Sequence, residues 1–216
     1  MRKKFGEKMR ILLILVMAIF FANSSEWRIQ DDPYYKHKVS QFAMLKDINI
    51  VDTMMLGDSI TDEGEWSELW GKVVQNRGIS GDTTSGVLDR LYTVSSTIKE
   101  LYIMIGVNDI LRGKNANFVF ENYKKIVEFF QKQGIKINIQ STLYVGENRK
   151  KFNNEIENLN SMLKDFANKN SINFIDLNSV LAPNKILESR FTEDGLHLNG
   201  NAYNLWIKEL KIASKK

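Results

Sequence analysis

Four short polar stretches carry residue types that together can do acyl-transfer chemistry: GDS at 57–59, NRGISGDT at 76–83, GVND at 106–109 and DGLHLN at 194–199. Ser59 offers a hydroxyl, which becomes a nucleophile when a base takes its proton. The chain holds two histidines, His37 and His197. Only His197 lies among the polar stretches, and its imidazole can take the proton from Ser59 Oγ and return it to a leaving group. Asp194, three residues earlier on a short turn, can accept from the other ring nitrogen, fix the tautomer and stabilise the imidazolium that forms. Attack on a carbonyl also places negative charge on its oxygen, so donors must stand where that charge appears. Gly81 exposes a backbone N–H with no side chain in the way, and the Asn108 amide donates without ionising. With the Ser59 N–H they would make a three-donor oxyanion hole. Each stretch alone has a plain structural reading as well: Gly-Asp-Ser and Asp194-Gly195 as turns, Gly81 as a positive-φ position, Asn108 as a cap, His197 as a structural histidine. The catalytic reading depends on a fold that brings all four to one place.

The elements around them supply such a fold. Apolar runs at 50–56, 73–79, 101–105, 135–139 and 172–177 read as strands, and they alternate with segments of helical period. Val119, Tyr123, Ile126, Val127 and Phe130 form one stripe, and Phe152, Ile156, Leu159, Leu163 and Phe166 another. A last helix shows Tyr203, Trp206, Ile207 and Leu210 on one face. The alternation predicts an α/β fold: a flavodoxin-like three-layer sandwich whose five-stranded parallel sheet has the order 2-1-3-4-5, with helices on both faces. Ligands of such sheets bind beyond the carboxyl ends of the strands. The first three polar stretches follow the first three runs, and DGLHLN follows the fifth, so all four are expected at that edge. Ahead of the sheet, Asp32 as N-cap and Pro33 at the first helical position begin a bracing helix that buries Tyr35, Val39 and Phe42 and leaves His37 in solvent.

The first ten residues hold five bases and one acid, and residues 11–22 are unbroken apolar. A twelve-residue helix is about 18 Å long, short of the roughly 30 Å hydrocarbon core. Residues 1–24 therefore read as a signal peptide cleaved after Ser24, or as an uncleaved N-terminal anchor attaching the protein to a membrane. Export to the periplasm or the extracellular space is expected, with a single domain over 25–216. The leader accounts for the whole formal charge of +4, leaving 25 bases and 25 acids. The near-neutral remainder, with no basic-aromatic interleaving, gives no reason to expect nucleic acid as a partner. The chain has no cysteine, so disulfides and thiolate metal sites are absent.

In these four blocks and their order, GDSIT, GISGDTT, GVND and DGLHLN, the chain resembles the SGNH (GDSL-type) hydrolases over roughly residues 34–212. NRGISGDTTSGVLDRL is similar to the branch containing the platelet-activating-factor acetylhydrolase catalytic subunits and bacterial acylhydrolases. The resemblance implies ester hydrolysis through an acyl-serine intermediate, with no metal or organic cofactor. It also implies Ser59, Asp194 and His197 as catalytic residues, Ser59, Gly81 and Asn108 as the oxyanion hole, and a preference for short acyl groups.

The expected substrate is accordingly a small ester or an acylated carbohydrate. A lipase, lysophospholipase or thioesterase on longer chains would use the same residues, and a catalytically silent carbohydrate-binding protein of the cell envelope would keep the fold without turnover. Trp66 and Trp70 follow the nucleophile at helical spacing and are expected to pack rather than to wall a substrate. Arg77 and Arg112 flank the second and third blocks, where each could steer an anionic substrate, but an ion pair is the expected role. Asp58 and Asp109 are expected to hold the loops by hydrogen bonds.

Overall fold

Strands of an all-parallel sheet are buried on both faces, so they must be apolar on both sides of the pleat. In the computed structural model, which describes residues 27–46 and 51–214, the five runs form β1 (Thr53–Gly57), β2 (Gln75–Gly78), β3 (Glu100–Met104), β4 (Lys136–Gln140) and β5 (Asn173–Ile175). Every pairing is parallel and the order is β2-β1-β3-β4-β5. The strands are shorter than the apolar runs. Val73, which opens the second run, is 68% exposed and precedes β2. The leader expected over residues 1–24, its cleavage point and Ile50 lie outside the described residues. Among the described residues, no helix is long and apolar enough to cross a membrane.

Nine α-helices are found among the described residues: α1 (Pro33–Leu45), α2 (Ser59–Asp62), α3 (Trp66–Trp70), α4 (Thr84–Asp89), α5 (Val107–Leu111), α6 (Ala116–Gln131), α7 (Asn153–Lys169), α8 (Asn178–Leu181) and α9 (Gly200–Ala213). In α6 the whole expected stripe is buried. In α7 Ile156, Leu159 and Leu163 are buried, but Phe152 falls just before the helix, and Phe166 is half-buried against the edge of Phe120. Side-chain oxygens of Asp32, Asn115 and Asn199 accept backbone N–H bonds at the starts of α1, α6 and α9. Each such cap is worth about 1 kcal/mol.

Alternation along the strands assigns the two faces. Tyr123 of α6 donates to the Ile103 carbonyl, and α6 packs on α7. On the other face the Trp70 ring of α3 meets Tyr102, and Trp206 Nε1 of α9 donates to Gln140 at 2.5 Å. Trp66 sits between Tyr203 and Trp206 with ring centroids 5.7 and 4.7 Å away, and Tyr203 Oη donates to the Ile60 carbonyl at 2.8 Å. Helix α9, which follows DGLHLN, is thereby fastened to α2, which begins with Ser59. Gly78 allows β2 and α2 to meet: a Cβ there would stand 2.1 Å from the Asp62 backbone nitrogen. Helix α1 forms a small satellite core, with Tyr35 and Phe42 buried against Ile29 and Ile79. His37 is exposed, as its spacing predicts.

Candidate active site

Ser59 is the first residue of α2, at the turn out of β1, and is 3% exposed. Asp58 caps this turn by accepting the Ile60 N–H at 3.1 Å. The Ser59 N–H, at the first helical position, has no acceptor within the helix. His197 Nε2 lies 3.0 Å from Ser59 Oγ, across 138 positions of sequence, and His197 Nδ1 lies 2.8 Å from Asp194 Oδ2. The other oxygen, Asp194 Oδ1, accepts the backbone N–H groups of Leu196 and His197 at 2.9 and 2.8 Å. Partial burial pushes the Asp194 carboxyl up, but the His197 N–H, the His197 ring and the Leu196 N–H outweigh it and hold it down at about 2. An ionised Asp194 accepts only, so it selects the tautomer with hydrogen on Nδ1 and leaves the Nε2 lone pair facing the serine hydroxyl.

The turn that carries Asp194 is pinned from a distant part of the chain. Asn148 Nδ2 donates to the Asp194 carbonyl at 2.9 Å, and the Arg149 guanidinium donates to the same oxygen. Gly146 N–H donates to the Gly195 carbonyl at 2.8 Å, and Thr192 Oγ1 accepts from Gly195 N–H at 2.9 Å. Gly195 adopts φ +78°, a left-handed conformation that glycine takes without strain. None of these contacts has a signal in the sequence, because polar residues of the 146–149 loop look like any solvated turn.

Gly81 has φ +77° and occupies the third position of a tight turn closed by Asp82 N–H donating to the Ile79 carbonyl at 3.0 Å. Asn108, the second residue of α5, donates one amide hydrogen to the Asp82 carbonyl at 3.0 Å. That bond joins the second and third polar stretches and leaves the other amide hydrogen to donate elsewhere. Beneath them Arg90, which sequence reasoning did not single out, is buried. Its guanidinium pairs with Asp82 at 2.8 Å and donates to the Gly57 and Arg77 carbonyls at 3.2 and 3.0 Å. One side chain thus staples the ends of β1 and β2 to the loop that carries Gly81.

Three buried carboxyls surround this staple. Burial drives Asp58 up to about 7 despite the Ile60 N–H, with Asp82 and Asp109 adding to the rise. Burial likewise raises Asp82 to about 6 against the opposing pull of Arg90. Asp109 is raised by burial too, while it accepts the Thr84 N–H and hydroxyl at 2.9 and 2.7 Å. A carboxyl raised on folding binds its proton more tightly in the native state. Its stabilising contribution is complete below the unfolded value of about 3.9 and is lost as pH climbs to the folded value. Thermal unfolding is therefore expected to show Tm falling between pH 4 and 7, with a shallower fall in Asp58→Asn, which retains a capping oxygen. An unchanged slope in that variant would remove Asp58 as a cause.

Trp66 and Trp70 pack within the fold, as expected. Among the described residues, the ion pairs expected for Arg77 and Arg112 are not formed. Arg77 is buried with its guanidinium 4.6 Å from the Phe42 ring centroid, and Arg112 lies 4.1 Å from that of Trp27. Each cation is held by an aromatic face that spacing along the chain could not reveal. Among the described residues, no three His, Cys, Asp or Glu side chains are grouped so as to hold a metal ion.

The arrangement has the geometry of a serine activated by an imidazole, which a carboxylate orients in turn. The family model described as GDSL-like Lipase/Acylhydrolase matches residues 55–205. Sequence similarity extends to an N-acylneuraminate cytidylyltransferase of Streptococcus agalactiae serotype V, 28% identical over 166 residues, which are 73% of this chain and 39% of that protein. The chain thus spans about two fifths of the length of that relative. Among solved structures, a protein from Streptococcus pneumonia provisionally named a platelet activating factor superposes with a TM-score of 0.77 at 25% identity, covering 91% of this chain and 98% of that one. The acetylxylan esterase Axe2 from Geobacillus stearothermophilus shares the fold, with a TM-score of 0.65 at 18% identity over 75% of this chain and 93% of that one.

Proposed function

Given that the chain belongs to the GDSL-like lipase/acylhydrolase family, we propose that it is a serine esterase that removes a short acyl group, acetyl foremost, from a carbohydrate or another small ester. The observation that carries this reading is the pair of contacts at His197, 3.0 Å to Ser59 Oγ and 2.8 Å to Asp194 Oδ2. In the proposed reaction Nε2 takes the hydroxyl proton as Oγ bonds to the ester carbonyl carbon. The resulting oxyanion is met by the Ser59 and Gly81 N–H groups and the Asn108 amide. The protonated ring then gives its proton to the departing alcohol, leaving an acyl-serine. Water, deprotonated by the same Nε2, attacks that acyl group and releases the acid and free Ser59.

The preference for an acylated carbohydrate draws on two names. The streptococcal relative is named for an N-acylated carbohydrate, whose acyl group is an amide and so points to the carbohydrate rather than to the ester, and Axe2, of like fold, is named for acetylated xylan. Nucleotidyl transfer is not carried over, because the similar stretch is 39% of that relative. The leader expected at residues 1–24 would deliver the enzyme outside the cytoplasm.

A fluorophosphonate probe, which reacts with an activated serine, tests the reading directly. One adduct at Ser59 is expected by peptide mass mapping, together with hydrolysis of p-nitrophenyl acetate. A folded protein that takes up no probe and cleaves no ester would instead be a binding protein. A p-nitrophenyl series from acetate to palmitate reads the acyl length, and a maximum at long chains would overturn the short-acyl part alone.

A further inference from the structure

Arg112 follows α5 directly and stands four residues beyond Asn108, whose carbonyl accepts weakly from Arg112 Nη1 at 3.4 Å. Its Nη2 lies 3.6 Å from where a Cβ on Gly81 would stand, so the guanidinium borders the Gly81 turn. The Trp27 ring covers one face of the guanidinium at 4.1 Å. Among the described residues, Arg112 has no ion-pair partner.

Two open cavities meet at this side chain. One, of about 470 Å³, is lined by Trp27, Tyr34, Ser80 and Gly81 as well as Arg112, and the other, of about 930 Å³, by Trp27, Thr83 and Phe118 and by the further cations Arg28 and Lys114. Trp27, Tyr34 and Phe118 are among the few large apolar side chains left exposed, and all three stand at these cavities. The carboxylates along the walls are already engaged. Asp32 caps α1, Asp89 accepts from Gln30 Nε2, and Asp109 accepts twice from Thr84. Among the described residues, the guanidinium at the junction has only the weak bond to the Asn108 carbonyl as a side-chain hydrogen bond.

We propose that Arg112 is the anchor of a subsite for a carboxylate carried by the ester substrate. The inference rests on the esterase reading above and narrows its substrate class to anionic esters. A planar guanidinium held on an aromatic face offers two parallel N–H groups, which match a carboxylate. In the smaller cavity, which reaches Gly81, Arg112 is the one cation among the described lining residues, and with Asp109, Asp58 and Asp82 close enough to act on it, it suits one negative charge better than the two of a phosphate monoester. Stacking on Trp27 limits the guanidinium's motion before substrate arrives, so less ordering is left to binding.

The test pairs carboxylated with neutral esters on both sides of the scissile bond. p-Nitrophenyl hemisuccinate against p-nitrophenyl butyrate places the charge on the acyl group. 4-Acetoxybenzoate against its methyl ester places it on the leaving group. At least one carboxylated ester is expected to exceed its neutral partner about tenfold in kcat/KM, mainly through KM, a difference of about 1.4 kcal/mol. Arg112→Gln should bring that ratio to near one, and Arg112→Lys, which keeps the charge but loses the fork, should retain part of it. Circular dichroism checks that both variants fold. The proposal is overturned if the native ratio is already near one, if Arg112→Gln leaves it intact, or if carboxylated and neutral esters lose activity in equal proportion. Calorimetric binding of 4-acetoxybenzoate to Ser59→Ala reads the subsite without turnover. No binding there, or equal binding with Arg112→Gln added, overturns the subsite while Ser59-dependent cleavage of neutral esters still upholds the esterase. Absence of all ester cleavage by the native protein overturns both.

Discussion

Ser59→Ala and His197→Ala are each expected to lower kcat for a short-chain ester on the order of 10⁶-fold, equivalent to about 8 kcal/mol of barrier. Without the hydroxyl no acyl-enzyme forms. Without the imidazole the hydroxyl keeps its proton and the leaving alkoxide has no acid. The two side chains act through the single 3.0 Å contact between Nε2 and Oγ. The double variant should therefore lose little more than either single one, since the second change removes a step already disabled. Activity left in all three, on the order of 10³-fold over water, would report the oxyanion donors and substrate binding. The fold should survive these changes: the His197 side chain is 38% exposed, and removing one hydroxyl from Ser59 leaves the α2 cap on Asp58 in place. Initial rates on p-nitrophenyl acetate, alongside thermal unfolding, check the prediction. Losses that multiply in the double variant would mean two independent roles and a different nucleophile-base pair.

How much of this was visible in the sequence depends on the range of the interaction that fixes each feature. Strand order and helix faces follow from periodicity, which is local, and the stripe of α6 is buried residue for residue as read. The positions of Ser59, Gly81, Asn108 and His197 at one sheet edge follow from topology, because each trails a strand or leads a helix. What stayed hidden are groups whose partners are remote and whose type is unremarkable where they stand. Arg90 directly follows α4 and its type draws no notice there, yet it is buried as the staple between Gly57, Arg77 and Asp82. Asn148 and Arg149 carry no mark of their role in the sequence, yet they hold the Asp194 carbonyl. For Arg77 and Arg112 the charge was plain, but the partner is the π-face of Phe42 or Trp27 rather than an acid. Spacing shows where a side chain sits on its own element, whereas these contacts are set by which elements pack together.

Asp194→Asn is expected to cost kcat on the order of 10⁴-fold while leaving KM for a neutral ester nearly unchanged, as in other serine triads that lose the acid. The reason lies in how the carboxylate is divided. Oδ1 already accepts two backbone N–H groups, from Leu196 and His197, and only Oδ2 faces Nδ1. An asparagine would keep its oxygen toward the backbone donors and turn its NH₂ toward Nδ1. The ring would then have to accept at Nδ1 and carry its hydrogen on Nε2, where the serine proton needs a lone pair. The turn itself should persist, so lost activity without lost structure is the diagnostic combination. The depressed carboxyl gives a second readout. Held at about 2, it stabilises the native state above the unfolded value of about 3.9 and gives up that contribution as pH falls through about 2. Asp194→Asn should therefore narrow its stability gap to the native protein in strong acid, because there the native carboxyl is itself protonated. If the variant keeps full kcat across the neutral range, the imidazole does not depend on this carboxylate for its tautomer.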